Sequence, residues 1–254
     1  MSKGFSSYNG LLLKLEKRFS NGMTLRANYT WSHDLDLGEG DEGPYSGIRS
    51  ETYGNMAYDI RQRFVLDYGY ELPFGKGKRF ASGASGAVDK VIGGWRVTGI
   101  TTFESGQYVP ISLPSNWAND GSWGANRPDR VGNAIPSTGR NYLNYWNANS
   151  FEYPGCSPSY NADPLSCTTQ DHIVGDAGRN QYEVPGINNW DFALMKDTRI
   201  KEGFTTQFRA EFFNGWNHEQ FGSPDATLVP GQFGRIGSSL ESPRTIQFGL
   251  KFIF

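Results

Sequence analysis

Hydrophobic and polar residues alternate with a period of two along several parts of this chain. The clearest run follows Ser20-Asn21-Gly22 and extends from Met23 to Ser32, where each apolar residue is followed by a polar one. This period is typical of β-strands whose two faces meet different environments. The Asn-Gly pair that precedes the run suits the positive φ angles of a tight hairpin turn. The pattern therefore predicts a hairpin between two amphipathic strands near the start of the chain.

Further runs with the same alternation extend the predicted sheet to seven strands of about ten residues each. They occupy residues 11–19, 23–32, 64–72, 95–104, 190–197, 204–212 and 245–254. In each run the apolar residues share one face of the strand. The polar face is interrupted at Val65 and Ile100.

Two kinds of all-β protein produce this pattern. Half-buried strands of a soluble sandwich also alternate, and on the period alone the sandwich is favoured. Three features instead favour an antiparallel transmembrane β-barrel: the strand length, aromatic residues near the ends of the apolar faces, and connections that alternate between short and long. The short ones are 20–22 and 201–203, with 75–92 as a longer turn on the same side, and the long ones are 34–61, 109–189 and 218–243. We therefore predict an all-β barrel with brief periplasmic turns and long extracellular loops.

The predicted topology has an odd number of strands. If the long loops are extracellular, the last strand ends in the periplasm at Phe254, and the first strand also descends. Single-chain bacterial barrels normally have an even number of strands and two periplasmic termini. We therefore expect residues 1–254 to form a single, incomplete segment of a barrel.

Composition excludes two other classes of protein. The 24 Lys and Arg residues nearly balance the 26 Asp and Glu residues, and a net charge of −2 argues against a nucleic-acid partner. A mean hydropathy of −0.55 and the lack of any apolar run of about 18 residues exclude a transmembrane helix. The first ten residues contain no apolar signal region, so we expect either a cytoplasmic protein or a missing N-terminus.

Motifs along most of the chain resemble a family of outer-membrane receptors. The upstream motifs are Arg63-Phe-Val65, Leu72-Pro-Phe-Gly-Lys-Gly-Lys78 and Gly93-Gly-Trp-Arg-Val-Thr-Gly99. The downstream motifs are Gly175-Asp-Ala-Gly-Arg-Asn180, Pro185-Gly-Ile-Asn-Asn-Trp-Asp191, Phe208-Arg-Ala-Glu-Phe-Phe-Asn214, Trp216-Asn-His218, Phe221-Gly222, Phe233-Gly-Arg-Ile236 and Pro243-Arg-Thr-Ile-Gln-Phe248. In order and spacing they resemble the C-terminal part of Oar-like TonB-dependent receptors of the acidobacterial type. The resemblance implies a barrel of about 22 strands that binds and imports an extracellular ligand, with this chain as roughly its last third.

The resemblance also implies parts that this sequence lacks. It contains no signal peptide, plug domain, TonB box or N-terminal carboxypeptidase-regulatory-like domain. We therefore expect no active transport by the chain alone, and contact with TonB only through the missing N-terminal region. The expected partners of the chain itself are outer-membrane lipid and the outer-membrane assembly machinery. Two alternatives remain: an outer-membrane adhesion or glycan-binding protein without transport, and a soluble lectin-like sandwich.

The last strand resembles the signal by which the assembly machinery recognises its clients. Phe248, Leu250, Phe252 and the terminal Phe254 alternate with less apolar residues. The alternative is an apolar edge strand with no role as a signal.

Charged residues of both signs fall on the polar faces of the predicted strands. The lumen-facing candidates for ligand contact are Arg26, Asp67, Glu71, Arg96, Glu104, Arg209 and Glu211. Their mixed signs leave a metal chelate, a sugar and a peptide open as ligands. The alternative is that these residues pair with one another and fill a polar lumen.

The two cysteines, Cys156 and Cys167, lie in the long predicted loop 109–189. An oxidising location favours a disulfide that closes this loop, worth roughly 3 kcal/mol. The alternative is a pair of free thiols in a cytoplasmic protein. A structural zinc site takes four Cys or His ligands, so two cysteines without a nearby His pair argue against such a site.

An acidic, glycine-rich segment offers a weaker candidate for a calcium site. Its carboxylates are Asp34, Asp36, Glu39, Asp41 and Glu42. Gly38 stands where a third ligand of an EF-hand belongs, so a solvated loop is the favoured interpretation. We predict neither a metal nor a cofactor.

Catalytic motifs are missing from the sequence. His33, His172 and His218 are scattered, and no Ser lies in a nucleophile elbow. The glycines at 83–86 lack the Lys-Ser/Thr ending of a phosphate-binding loop. We therefore do not expect an enzyme.

Overall fold

The computed structural model describes residues 5–37, 52–115, 117, 126–155 and 175–254. These residues contain seven long strands, which confirm the predicted all-β, antiparallel fold. The strands are β1 (Ser6–Ser20), β2 (Met23–Asp36), β3 (Gln62–Glu71), β4 (Trp95–Glu104), β5 (Ile187–Lys201), β6 (Phe204–Phe213) and β7 (Thr245–Ile253). Strands β1, β2 and β5 are longer than the sequence pattern predicted, with 15, 14 and 15 residues.

The remaining elements are short and lie in the connections. Gly54–Asn55 pairs with β2, Tyr108–Val109 pairs with Tyr182–Glu183, and Asp129–Arg130 pairs with Phe151–Glu152. An α-helix, α1 (Gly86–Ile92), lies in the turn between β3 and β4. Among the described residues, every helix is too short or too polar to cross a membrane.

Each long strand pairs with its neighbour in sequence, so the sheet runs in order from β1 to β7. Asn21 and Gly22 have φ angles of 52° and 76°, which confirms the predicted hairpin turn. The turns after β1, β3 and β5 lie at one end of the sheet, and the longer connections lie at the other. Within the described residues β1 and β7 do not pair with each other, so the sheet is open, as expected for an incomplete barrel.

The strand register places the predicted apolar residues on one face. Residues directly opposite each other in an antiparallel pair project to the same side of a sheet. One row of such residues crosses the sheet from β2 to β6. In order, its members are Leu25, Tyr68, Gly99, Phe192 and Phe212, and each lies directly opposite the next. The apolar faces read from separate segments of sequence therefore form one surface.

The packed core of the described residues lies in the long connections and not against the sheet. Its buried members are Ile111, Leu113, Trp117, Ala134, Tyr145, Trp146, Phe151, Tyr153, Ala177, Tyr182, Leu228 and Phe233. By contrast, large apolar side chains on the sheet face, such as Leu15 and Phe248, are more than half exposed. A soluble sandwich packs its apolar faces together, so this arrangement excludes the lectin-like sandwich.

Candidate functional site

The polar face of the sheet carries the charged residues predicted to face a lumen. Arg26 lies directly opposite Asp67, and Glu71 lies directly opposite Arg96. Glu104 shares the same face of β4, at the end that leads into the long connection. The register therefore brings charges from β2, β3 and β4 to one side.

Met195 and Arg209 continue this face into β5 and β6. Met195 lies opposite both Arg96 and Arg209, and the Arg96 Nη2 atom is 3.4 Å from the Met195 sulfur. Arg209 also forms an ion pair of 2.9 Å with Glu211. The Nε atoms of Arg96 and Arg209 are buried and have no hydrogen-bond partner among the described residues. Both guanidinium groups thus keep an unused donor.

Mutual pairing accounts for only part of the charge on this face. Glu104 pairs with Arg63 and Glu71 pairs with Lys78, each at 2.9 Å. Within the described part of the chain, no ion pair involves Arg26, Asp67 or Arg96. These three charges remain available to water or a ligand.

A row of small residues forms a hollow in the polar face. Gly69, Thr98 and Ala193 lie opposite one another in three adjacent strands. The hollow has a volume of about 350 Å³. The charged side chains that line it are Asp67, Asp191, Arg209 and Glu211. It offers both acceptors and a cationic donor to a polar molecule.

The connections after β4 and β6 pack together into a body that we call the cap, defined as the described residues of 105–186 and 214–244. Its centre is aromatic. Trp146 packs against Tyr182 and Phe233 with ring centroids 6.4 and 5.9 Å away, and Phe151 packs against the same two rings at 5.3 and 5.5 Å. Because rings from both connections share this core, the cap presents a preformed surface.

Backbone hydrogen bonds join the two connections of the cap. The Ser112 N–H donates to the Ala226 carbonyl at 3.0 Å, and the Leu228 N–H donates to the Ser112 carbonyl at 2.7 Å. The Tyr145 N–H donates to the Gly234 carbonyl at 2.9 Å. These bonds hold the connections in register without a long strand.

The cap is fastened to the rim of the sheet by the motif 175–180. Arg179 forms a largely buried ion pair with Asp36 at the end of β2. Asn180 and Asn55 exchange two hydrogen bonds of 2.7 Å between side-chain amides and backbone carbonyls. The sequence marks this motif only through the family resemblance, and no local pattern predicts its contacts.

A second rim network surrounds the buried carboxylate of Asp59. This carboxylate accepts hydrogen bonds from Arg61 Nε at 2.6 Å and from the Asp34 backbone N–H at 3.0 Å. His33 Nδ1 lies 3.2 Å from it. Arg61 also lies over the Tyr108 ring at 5.1 Å. The connection after β2 is thereby tied to both β2 and the cap.

An open cleft lies in the cap and reaches the residues that adjoin β6 and β7. One part, of about 290 Å³, is lined by Tyr142, Glu219, Phe221, Ile236, Gly237, Ser238 and Ser239. Glu219 and Ser239 also line an adjoining hollow of about 220 Å³, together with Asn214, His218 and Glu241. Tyr142 is 54% exposed and therefore presents much of its ring to the cleft. A ring beside carboxylate, hydroxyl and amide groups suits a small polar ligand. No periodic signal in the sequence marks this site.

Burial shifts the acidity of several groups in the cap. Burial raises the pKa of Tyr182 to about 12, and its hydroxyl has no hydrogen-bond partner among the described residues. Burial also raises the pKa of Tyr145, while the Arg140 guanidinium beside that ring opposes the shift. The pKa of Asp129 is raised by burial, partly offset by a hydrogen bond from the Asp176 backbone N–H.

The residues of the predicted assembly signal lie along the edge strand β7. Phe248 lies opposite Ala210, and Leu250 lies opposite Phe208, on the apolar face. Phe252 is half exposed and Phe254 is 94% exposed. Their outward position is compatible with recognition by another protein.

Other predicted sites fall partly or wholly outside the described residues. Cys156 and Cys167 both lie outside them, so the disulfide stays a prediction. Two residues of the acidic segment, Asp34 and Asp36, are described. Asp36 forms an ion pair with Arg179. Glu39, Asp41 and Glu42 lie outside. The described residues contain no group of three or more His, Cys, Asp or Glu side chains that could hold a metal ion.

Comparison with known proteins identifies the family. A family model described as an outer membrane beta barrel domain matches residues 1–247. No curated protein and no solved structure matches the chain. The match covers nearly the whole chain and agrees with the exposed apolar face of its antiparallel sheet, so the location is the outer membrane. The chain belongs to the outer membrane beta barrel domain family.

Proposed function

We propose that this chain is the C-terminal part of a TonB-dependent, Oar-like receptor that binds an extracellular ligand at its cap and imports it. The observation that carries the proposal is the position of the packed core, which lies in the connections opposite the short turns. In outer-membrane barrels the short turns are periplasmic and the longer loops are extracellular. A preformed cap outside the membrane is suited to capture of a ligand.

The polar face of the sheet supports passage of a ligand after capture. The hollow beside Gly69 and the unpaired charges of Arg26, Asp67 and Arg96 offer a wet, polar wall. Energy for import comes, in this proposal, from TonB acting through the N-terminal region of the intact protein. The chain itself performs no catalysis and binds no nucleic acid.

Growth on single nutrients tests the proposal while the ligand is still unidentified. Bacteria that carry or lack the gene are grown on a panel of sole carbon and iron sources, and the panel is repeated in a strain without TonB. We expect loss of growth on the same nutrient in both mutants. The adhesion alternative predicts a different result. Deletion of the gene would then reduce attachment to glycan-coated surfaces, with or without TonB, and growth on every nutrient would be unchanged.

Two neighbouring residues supply a matched pair of variants for the cap. Tyr142 lines the cleft, whereas Leu143 is exposed to a similar extent, 50% against 54%, and does not line it. We expect Tyr142→Ala to slow growth on the nutrient identified by the panel, with Leu143→Ala growing as the parent does. Equal growth of both variants would contradict binding at this cleft.

A further inference from the structure

Three consecutive rows of residues cross the polar face of the sheet around the hollow. Because side chains alternate along a strand, neighbouring rows on one face lie roughly 7 Å apart. The outer row, nearer the long connections, contains Arg26, Asp67, Ile100 and Asp191. The middle row contains Thr24, Gly69, Thr98, Ala193 and Glu211. The inner row contains Glu71, Arg96, Met195 and Arg209. The small residues of the middle row therefore form the floor of the hollow, and the other two rows form its sides.

The outer side of the hollow is negatively charged. Asp67 lines the hollow and forms no ion pair with a described residue, although Arg26 lies directly opposite it. Asp191 lines the same side and is held in place by two hydrogen bonds. Its carboxylate accepts from the Asn214 backbone N–H at 2.9 Å and from the Asn189 side-chain amide at 3.2 Å. This side therefore favours a cationic group, such as an ammonium.

The inner side of the hollow carries positive charge. Arg209 forms an ion pair of 2.9 Å with Glu211, and 42% of its side chain is exposed. A guanidinium group has five N–H donors, so this single ion pair leaves others for a ligand. Arg96 lies in the same row, on the other side of Met195, and forms no ion pair with a described residue. This side therefore favours a carboxylate.

Apolar side chains also line the hollow. They belong to Ile100, Met195 and Phe213. Ile100 is one of the two residues that interrupt the polar face in the sequence, and 49% of its surface is exposed. Phe213 is 44% exposed. Apolar groups among a few placed charges are typical of sites for small molecules and suit a ligand with an apolar side chain.

We propose that the hollow binds a free amino acid or a short peptide in its zwitterionic form. The ammonium contacts Asp67 and Asp191, the carboxylate contacts Arg209, and an apolar side chain contacts Ile100 and Phe213. The volume of about 350 Å³ falls within the range of about 300–1,000 Å³ that small-molecule sites have. This inference rests on the proposed function, because it names the class of ligand that passes along the polar face.

Charge distinguishes this ligand from the two others that the sequence leaves open. A neutral sugar would leave the charges on both sides of the hollow without partners. An anionic metal chelate would face three carboxylates, those of Asp67, Asp191 and Glu211, against the one guanidinium group that lines the hollow. A zwitterion instead presents an opposite charge to each side.

Calorimetric titration of the intact protein, extracted from outer membranes in a mild detergent, tests the proposal. The probes are the dipeptide Leu-Leu, its N-acetyl derivative, its C-terminal amide and free leucine, which distinguishes an amino-acid site from a peptide site. The variants Asp67→Asn and Arg209→Gln each remove one charge from the hollow. The controls, Asp197→Asn and Arg199→Gln, remove the same charges on the same face of the sheet at positions that do not line the hollow.

We expect acetylation and amidation each to weaken the binding of Leu-Leu by about tenfold or more. Asp67→Asn should lose the preference for a free ammonium and keep the preference for a free carboxylate, and Arg209→Gln should do the reverse. A purely structural effect of either substitution would weaken all probes together and would not produce this crossed pattern. If Arg209→Gln does not reach the outer membrane, the result for Asp67→Asn decides, because that side chain is exposed.

Three results would overturn the proposal. The first is no binding of Leu-Leu, or equal binding of Leu-Leu and its two derivatives. The second is the same loss in the controls as in the variants of the hollow. The third is loss of binding in Tyr142→Ala with none in Asp67→Asn, which would place the peptide in the cap. Growth that depends on neither the gene nor TonB would count against import and would leave a measured zwitterion site intact.

Discussion

Arg179 forms an ion pair with Asp36, a residue 143 positions earlier in the chain. The Arg179 side chain is 12% exposed and that of Asp36 is 8% exposed, so both charges are largely removed from water. Arg179 also donates to the Thr52 carbonyl at 3.3 Å. One guanidinium group thus joins the cap to β2 and to the connection that follows it.

Removing this guanidinium group should loosen the cap. Arg179→Ala leaves the Asp36 carboxylate buried and unpaired, which costs about 3 to 5 kcal/mol. We expect faster amide hydrogen exchange in 105–115 and 214–244, with the exchange of β5 and β6 unchanged. Arg235→Ala is the control, because Arg235 is exposed and the one side-chain hydrogen bond that it forms with a described residue is to the Gly231 carbonyl at 3.0 Å. Equal exchange in the two variants would show that the ion pair does not fasten the cap.

The two faces of β2 should respond differently to a charge. Leu25 lies on the apolar face and Thr24 on the polar face of the same strand. Leu25→Arg should cost roughly 2 to 4 kcal/mol in a membrane, whereas Thr24→Arg should cost much less. Urea unfolding in lipid vesicles measures both free energies. Similar losses from the two variants are incompatible with a lipid-facing and a lumen-facing side.

The buried hydroxyl of Tyr182 should make the cap sensitive to alkali. Its pKa in the folded chain is about 12, above the ordinary value of 10.0, so the unfolded chain releases the proton first. The cap is therefore fully stabilised below about pH 10 and loses stability as the pH rises towards 12, by about 2 kcal/mol. The Trp fluorescence of the cap, followed against pH, measures this loss.

A phenylalanine at position 182 separates this effect from general alkaline unfolding. Tyr182→Phe should reduce the loss between pH 10 and 12 and should not destabilise the cap at pH 7, because the hydroxyl has no hydrogen-bond partner among the described residues. Tyr142→Phe is the control at an exposed ring. An unchanged alkaline transition in Tyr182→Phe would mean that other groups, such as Tyr145 and Tyr153, dominate it.

Deletion of the terminal aromatic residue should slow assembly. Phe254 is 94% exposed, so its deletion removes little packing from the fold. A change in assembly would therefore report on recognition by the assembly machinery. We expect slower appearance of the heat-modifiable form in a pulse-chase experiment on the protein in cells. Phe254→Tyr keeps an aromatic ring and should assemble at the normal rate. Normal assembly after the deletion refutes the signal.

The open sheet should prevent the 254-residue chain from forming a pore alone. Strands β1 and β7 each leave one edge without a partner among the described residues, and lipid cannot satisfy their backbone groups. We expect aggregation or edge-to-edge pairing in detergent, and rescue when the upstream strands are supplied. A compact, heat-modifiable monomer with reproducible single-channel conductance would show that the chain closes by itself.

Much of the sheet could be predicted from the sequence because its signals are local. The alternation that begins at Met23 follows from the different solvents on the two sides of a strand, and the turn at Asn21-Gly22 follows from φ preferences. The start of β5 at Ile187 was missed, since the polar pair Asn188-Asn189 interrupts the alternation. Helix α1 was also missed, because its seven residues are too few for a helical period to stand out in the sequence.

The cap could not be predicted in the same way because its contacts are distant in sequence. Trp146 and Phe233 pack together, yet neither belongs to a periodic run. The ion pair between Asp36 and Arg179 has no local signal at all. The period groups the predicted lumen-facing residues on one face of the sheet, but which of them pair depends on neighbours such as Arg63 and Lys78.

The position of the aromatic core also bears on how this protein can change during evolution. Trp146 and its neighbours hold the cap together without packing against the wall of the barrel. Substitutions around Tyr142 and Glu219 therefore alter the exterior while leaving the lipid contacts of β1 to β7 intact. The cap and the strands of the sheet can therefore accept substitutions independently of each other.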